Sequence, residues 1–390
     1  MLRSKFHIRE SNKASIKHNT DFVFDNFIEA EVKKVLWPLY VAQCLSLAPK
    51  YSIRYGLITS NSSHFYAIVS LLAIGIAASW FYLAFDIIFK SGGLLSTALF
   101  AYGITFTSMF VFNSTVTTSR SNTNAYLITL IQRIQKGFEY VKFNPRNITI
   151  VNWLYVIAVI AFNILHFTLR LIEVPNALFR IFCAHLMYIS NDFNLIIEVR
   201  TIHLLGKYIE TWISELESIC CPNSLDDRGS DYVRNMESAI KKLVTAYDKV
   251  IEALDICNQA YGLSILFMVV TSIFQVFFNV QYVILLPVWS KTMYMSQTLW
   301  IKNITLLTML CMECENVSLK LKNAKVACIV PSTLERSPEL CSYVLRQQDA
   351  RPRAGWLSAA GFFSIDATLP PSFLAVLATY TIVILQFHFL

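Results

Sequence analysis

The stretch Leu369–Phe389 carries no charged side chain. As a helix it is about 30 Å long, the thickness of a bilayer's hydrocarbon core. Only a helix or a closed barrel satisfies its own backbone in lipid, so the stretch is read as a membrane-spanning helix. Within it Ser372, Thr379 and Gln386 recur at seven-residue intervals. Seven residues advance a helix by two turns less about 20°, which puts the three on one face. Two hydroxyls and an amide turned toward acyl chains are costly, so the seam is expected to face protein or water. On spacing alone it is either interhelical hydrogen bonding or the lining of an aqueous path.

The rest of the chain fits a membrane protein. Its 390 residues are 55% hydrophobic and 14% aromatic, with a mean hydropathy of +0.48, which favours a polytopic membrane protein over a soluble globule. Seven candidate spans stand out, at residues 65–89, 93–116, 150–169, 177–197, 261–286, 289–312 and 369–389. The fourth holds Arg180, His185 and Asp192. The expected fold class is thus an all-α membrane protein with seven transmembrane helices. The net charge of +7 points to topology, since the lysines and arginines fall between spans, and no nucleic-acid partner is expected.

Basic residues crowd the segment before the first span and the segments joining spans two to three, four to five and six to seven. The opposite side has Lys90, Arg170 and Lys291. By the positive-inside rule the N-terminus is cytosolic and the C-terminus extracellular. That direction is opposite to a G-protein-coupled receptor, and no Asp-Arg-Tyr stands at the inner end of the third span. The basic start, Arg3 to Lys17, is not followed by an apolar core before Asp21 and Asp25, so no cleaved leader is expected. The nine cysteines fall in cytosolic or spanning segments and are expected as thiols.

Four regions follow. Residues 1–64 form a cytosolic N-terminal segment with an interfacial helix at 35–48. Residues 65–312 hold six spans with cytosolic helical extensions. Residues 313–368 continue the sixth helix into the cytosol and then a loop, and 369–390 form the seventh span. Between spans four and five, Leu204, Leu205, Tyr208, Trp212 and Leu216 repeat at helical spacing. The pattern breaks around Cys221-Pro222-Asn223 and residues 226–229, which predicts a pair of helices extending those two spans. Thr368 is a plausible N-cap, with Pro370 and Pro371 in the first turn.

Two motifs carry a family resemblance. Thr379-Tyr380, five mostly hydrophobic residues and Gln386-Phe387 resemble the signature at the end of the last span of the insect gustatory receptors. Gly361-Phe362-Phe363-Ser364-Ile365-Asp366 is similar to the run that precedes that span in the same family. Pro38-Leu39-Tyr40 and the Leu45-to-Pro49 segment also resemble it, with Ser46 where a glycine is usual. The resemblance implies a fold similar to that of insect olfactory receptors: a tetrameric, ligand-gated, nonselective cation channel whose four last helices line the pore. It implies pore and gate roles for Ser372, Thr379, Gln386 and Phe387, with Tyr380 packing against a neighbouring helix. It implies a homo- or heterotetramer with other gustatory receptors, in the plasma membrane of chemosensory neurons and in contact with membrane lipid. The sugar-sensing clade usually has a glutamate directly after the Thr-Tyr pair. Thr381 stands there instead, which tilts the expectation toward a bitter or other non-sugar tastant.

No phosphate loop, nucleophile elbow or paired carboxylates appear, and a non-enzyme without cofactor is expected. Cys311 and Cys314 lie at i, i+3 on a helix without further ligands, so no metal is expected. The outside links are short, so a small-molecule tastant must enter between helix ends. Aromatic walls with a few polar anchors suit such a cleft. Tyr102, His166, Arg170, Glu173, His185, Trp289, Tyr294 and Trp300 are the candidates. Lys302, well inside the sixth span, needs a wet cavity or a partner and joins them. The alternatives are a secondary transporter using Lys302 and the outer charges, or an accessory subunit of a heteromeric chemoreceptor.

Overall fold

A computed structural model describes residues 27–46, 49–90, 93–138, 145–220, 230–285, 291–333 and 357–389. The 221–229 break, Trp289 and most of the 331–353 loop lie outside these residues. The helices in chain order are α1 (Ala30–Leu45), α2 (Ser63–Lys90), α3 (Gly93–Ser119), α4 (Ser121–Lys136), α5 (Pro145–Glu173), α6 (Leu178–Cys220), α7 (Ser230–Leu285), α8 (Lys291–Thr333) and α9 (Leu369–Phe389). A hairpin of β1 (Ser52–Arg54) and β2 (Leu57–Thr59) precedes α2. Its turn residues Tyr55 and Gly56 both have positive φ, the conformation that a two-residue hairpin turn requires.

Seven of these helices overlie the seven expected spans. Among the described residues, four segments are long and apolar enough to cross a membrane: Ser63–Phe85, Ser96–Val116, Pro145–Glu173 and Ser238–Val280. The apolar part of α9, Leu369–Val383, is shorter. Helices α6 and α8 fall below that level because polar and charged side chains interrupt them, Arg180, His185 and Asp192 in one and Lys302 in the other.

Burial on the apolar helices is inverted relative to a soluble protein. In α5 the buried side chains include Asn152, Asn163 and His166, whereas Leu154, Ile157, Ile164 and Leu165 are exposed. Helix α2 likewise exposes Ile68, Leu71 and Tyr82. Large continuous apolar surfaces of this kind are solvated by lipid, and the polar groups turn inward because only protein there can bond them.

Helix length explains where the densest core lies. At 56 residues α7 is about 84 Å long, and α6 and α8, at 43 residues each, are about 65 Å. All three outrun a hydrocarbon core of about 30 Å. Their prolongations pack together, with Tyr208, Trp212 and Leu216 of α6, Leu243, Tyr247 and Val250 of α7, and Leu310, Val317 and Ala324 of α8 all nearly inaccessible. The Trp212 indole N–H donates to the Leu243 carbonyl at 2.9 Å, and its ring lies 5.0 Å from that of Tyr247. Amphipathic α4 lays Leu127, Leu130, Ile131 and Ile134 onto the same core.

Helix α1 begins before the expected 35–48 segment and is bound to the chain along one face. Val32, Val35, Leu36, Leu39 and Ala42 are buried, while Trp37 and Leu45 remain exposed. The Asn152 amide of α5 donates to the Val35 carbonyl at 2.8 Å, and its oxygen accepts from Arg200 Nε of α6 at 2.6 Å.

The run from Leu357 to Thr368 couples α9 to α7. Ala360 and Gly361 both have positive φ and reverse the chain, the Phe362 N–H donating to the Ala359 carbonyl at 3.0 Å. Asn258 of α7 accepts from the Ser358 N–H at 2.9 Å. A Cβ on Gly262 would lie 2.7 Å from the Ser358 carbonyl oxygen, so only glycine admits the loop this close. Thr368 takes the backbone cap position, its carbonyl accepting from the Ser372 N–H. Its hydroxyl donates to Asp366, because Pro370 and Pro371 leave no N–H for it to cap.

Trp212→Ala removes a fully buried indole and its hydrogen bond, and is expected to cost about 3–5 kcal/mol. Gly262→Val forces the 357–368 loop off α7, with a cost of about 1–3 kcal/mol. Thermal unfolding of the solubilised protein, followed by size-exclusion fluorescence, measures both.

Candidate functional site

A cavity of about 380 Å³ opens among α2, α3, α5, α6 and α8, with apolar walls from Trp80, Leu99 and Leu299. Tyr102, His166, Arg170, Arg180, His185 and Tyr188 supply its polar groups. Four of the residues expected from the sequence, Tyr102, His166, Arg170 and His185, thus meet around one space. A neighbouring cavity of about 680 Å³ between α5 and α8 holds His166 again, together with Glu173, Tyr294 and Met295. His166 stands between the two.

The polar groups are tied to one another. His166 Nδ1 and His185 Nε2 are 2.9 Å apart; His185 Nδ1 lies 2.8 Å from the Ile181 carbonyl, and His166 Nε2 lies 3.3 Å from the Met295 carbonyl. Both carbonyls need a donor, and the ring-to-ring contact needs one proton, so the chain of three bonds uses three N–H groups. Two neutral imidazoles carry two, which leaves the longest contact, to Met295, without its proton. The Tyr102 and Tyr188 hydroxyls are 3.1 Å apart, and Phe106 packs against both rings. Arg170 contacts Glu173 at 3.4 Å.

Below this cluster Lys302 finds its partner. Its ammonium donates to both oxygens of Asp192, at 2.6 and 2.7 Å, and Asn163 Nδ2 donates to Asp192 Oδ2 at 3.0 Å. The two side chains are 12% and 5% exposed. The rings of Phe162 and Tyr188 lie 5.4 and 5.6 Å from the ammonium, which adds cation–π attraction in a largely buried site. Lys302 lines neither of these two cavities.

Tyr294, 54% exposed, lines the second cavity, and Trp300 lines a third, against α9. Trp289 lies outside the described residues. Sequence reasoning did not select Tyr188 or Ile181. Both fall on one face of α6 with His185 and Asp192, at steps of three or four residues, and that spacing is the signal that would have found them.

On α9 the side turned to α7 and α8 carries Phe373 and Leu377, both buried, with Thr381 half-buried. Ser372, Thr379 and Gln386 are all exposed, so the polar seam faces away from the chain's own bundle. Tyr380 meets Phe277 of α7 edge-on at 5.8 Å while remaining 53% exposed. The side chain of Phe387 lies outside the described residues.

Apolar helices, inward polar groups and the polar cluster define a multi-helix membrane protein with a cavity among its helices. The chain is similar in structure to the insect olfactory receptor OR5 from Machilis hrabei, with a TM-score of 0.66 at 11% identity over 91% of this chain and 98% of that one. The same receptor in complex with eugenol aligns with a TM-score of 0.63 at 12% identity, covering 92% and 100%. This chain therefore has the fold of an insect olfactory receptor. No protein-family model matches it, and no curated protein matches it significantly.

Lys302→Met leaves a buried carboxylate with one amide donor and is expected to destabilise the protein by about 3–5 kcal/mol. The double replacement Asp192→Leu with Lys302→Met removes the orphan charge. Its melting temperature in detergent should return close to that of the wild type.

Proposed function

We propose that this chain is an insect gustatory receptor: a ligand-gated, nonselective cation channel that assembles as a homo- or heterotetramer in the plasma membrane of chemosensory neurons. The observation that carries the proposal is the last helix. It bears the Thr-Tyr and Gln-Phe signature, and its seam of Ser372, Thr379 and Gln386 is turned outward from the bundle, where only other subunits can enclose it. The olfactory-receptor fold over nine-tenths of the chain supports the same assignment. With seven spans, a cytosolic N-terminus and an extracellular C-terminus, the cavity around Tyr102, His166, Arg170 and His185 is the tastant site. Glu173 and Tyr294 serve its neighbour.

A tastant opens the channel to the extent that it binds the open arrangement more tightly than the closed one. In the open state the ring at Gln386 and Phe387 widens, the amide replacing part of the ion's hydration and Phe387 forming the apolar constriction. No Asp or Glu lies on α9, so selection among cations by charge is weak. Thr381, whose hydroxyl donates to the Leu377 carbonyl at 2.8 Å, occupies the position where sugar receptors usually carry a glutamate, which favours a bitter or other non-sugar tastant. The transporter alternative needs Lys302 free to bind a substrate or ion, and the Asp192 contacts speak against it. The accessory-subunit alternative differs only in needing a partner to conduct.

Whole-cell recording from cells expressing this chain alone, against a tastant panel, tests the proposal. Evoked cation current is expected, and Gln386→Ala should change the relative permeability of sodium and caesium. Ala184→Trp fills the cavity and should raise the half-maximal concentration by about tenfold, equivalent to 1.4 kcal/mol. Current in neither the wild type nor a co-expressed pair would refute the channel assignment.

A further inference from the structure

The cavity walled by Trp80, Leu99 and Leu299 runs along α6 from Arg180 through Ala184 to Tyr188, about 12 Å at 1.5 Å per residue. Its walls carry two guanidinium groups, Arg170 and Arg180, and among the described residues no carboxylate. Arg170 is balanced at 3.4 Å by Glu173, which lines the neighbouring cavity instead. Asp192, about three turns along α6 from Arg180, is engaged by Lys302.

Arg180 has no such balance. Among the described residues it makes no ion pair and no hydrogen bond, and its half-buried guanidinium is not sealed in. The charged group that acts on it there is Arg170, of the same sign. It also stands in the first turn of α6, where the helix dipole disfavours a cation. An arginine that repels its neighbour, opposes its helix and bonds nothing does little to hold the helices together, and its charge is left for a ligand. Guanidinium pairs best with a carboxylate or phosphate, which its fork of N–H groups matches. One unbalanced positive charge calls for a single negative one. The volume, about 380 Å³, is that of a small-molecule site, and its apolar walls suit a body without further charge.

We propose that the ligand of this cavity is an amphipathic monocarboxylate, an aryl- or alkyl-alkanoate, held at its charged end by Arg180 with Arg170 beside it and packed along Trp80, Leu99 and Leu299. This names the tastant class of the site proposed above; the opening of a channel rests on that reading, while the binding does not. A lipid headgroup phosphate shares the anionic oxygens.

The full chain in phosphatidylcholine nanodiscs is titrated at neutral pH with tritiated 3-phenylpropanoate or tritiated 3-phenylpropan-1-ol, which differ only at the polar end. Bound label is read by scintillation proximity, and the part displaced by unlabelled ligand and absent in Ala184→Trp is binding in the cavity. The carboxylate is expected to bind about tenfold more tightly than the alcohol, the scale of one charge-assisted hydrogen bond. Arg180→Gln should bring the carboxylate down to the affinity of the alcohol while leaving the alcohol unchanged, which reports an intact cavity. Arg180→Lys keeps the charge without the fork and should retain a preference of about threefold. Equal affinities in the wild type, a preference that survives Arg180→Gln, or no cavity binding of the carboxylate would overturn the proposal. So would native mass spectrometry showing a phospholipid carried by the wild type and lost in Arg180→Gln, which assigns the guanidinium to a headgroup. Carboxylate binding without evoked current would remove the channel reading and leave this one; current evoked by other tastants without carboxylate binding would do the reverse.

Discussion

The upper half of the molecule depends on the pairing of Asp192 with Lys302. Either charge alone in a hydrocarbon environment is expensive, and together they are tolerable only with both carboxylate oxygens engaged and the ammonium flanked by rings. Asn163 of α5 brings a third helix into the same contact. The pair thereby fixes the depth of α5, α6 and α8 relative to one another. The histidine and tyrosine pairs that border the cavity stand one and two turns away on the same face of α6. A register error there would separate His166 from His185 as surely as it would separate the charges.

Two different solvents shape the two halves. Where lipid surrounds the helices, hydrophobic side chains gain nothing by turning inward, and association rests on polar contacts and packing. Where α6, α7 and α8 run beyond the hydrocarbon layer, apolar burial is favourable again. The largest fully buried side chains, Trp212, Tyr208 and Tyr247, lie in these prolongations. The prolonged helices thus hold the largest fully buried side chains among the described residues, and the two cavities around His166 lie outside that cluster.

The last helix is attached differently from the others. It touches the bundle along one side, where Phe373 and Leu377 are buried and Tyr380 meets Phe277, and is pinned at its start by the 357–368 loop against Asn258 and Gly262. A helix held at one end with a broad exposed face is suited to small rigid displacements. Such displacements are what the pore role proposed above requires, since packed interfaces switch between discrete arrangements more readily than they deform.

Much of this was legible in the sequence, because periodicity and charge are properties of a single strand of text. Apolar runs of bilayer length marked the helices, the repeat from Leu204 to Leu216 marked the prolongation of the fourth, and the seven-residue recurrence marked the seam on α9. The hairpin at residues 52–59 was missed, since its two three-residue strands are too short for any period to register. Separate helix α4 was missed although Leu127, Leu130, Ile131 and Ile134 recur at helical spacing. The partner of Lys302 could not be read either. Asp192 lies 110 residues away, and nothing in the local pattern of either segment names the other. The sequence determined which stretches are helices and which faces carry polarity. The tertiary structure decided which of those polar groups meet, because meeting depends on distances between helices, and those are set by packing.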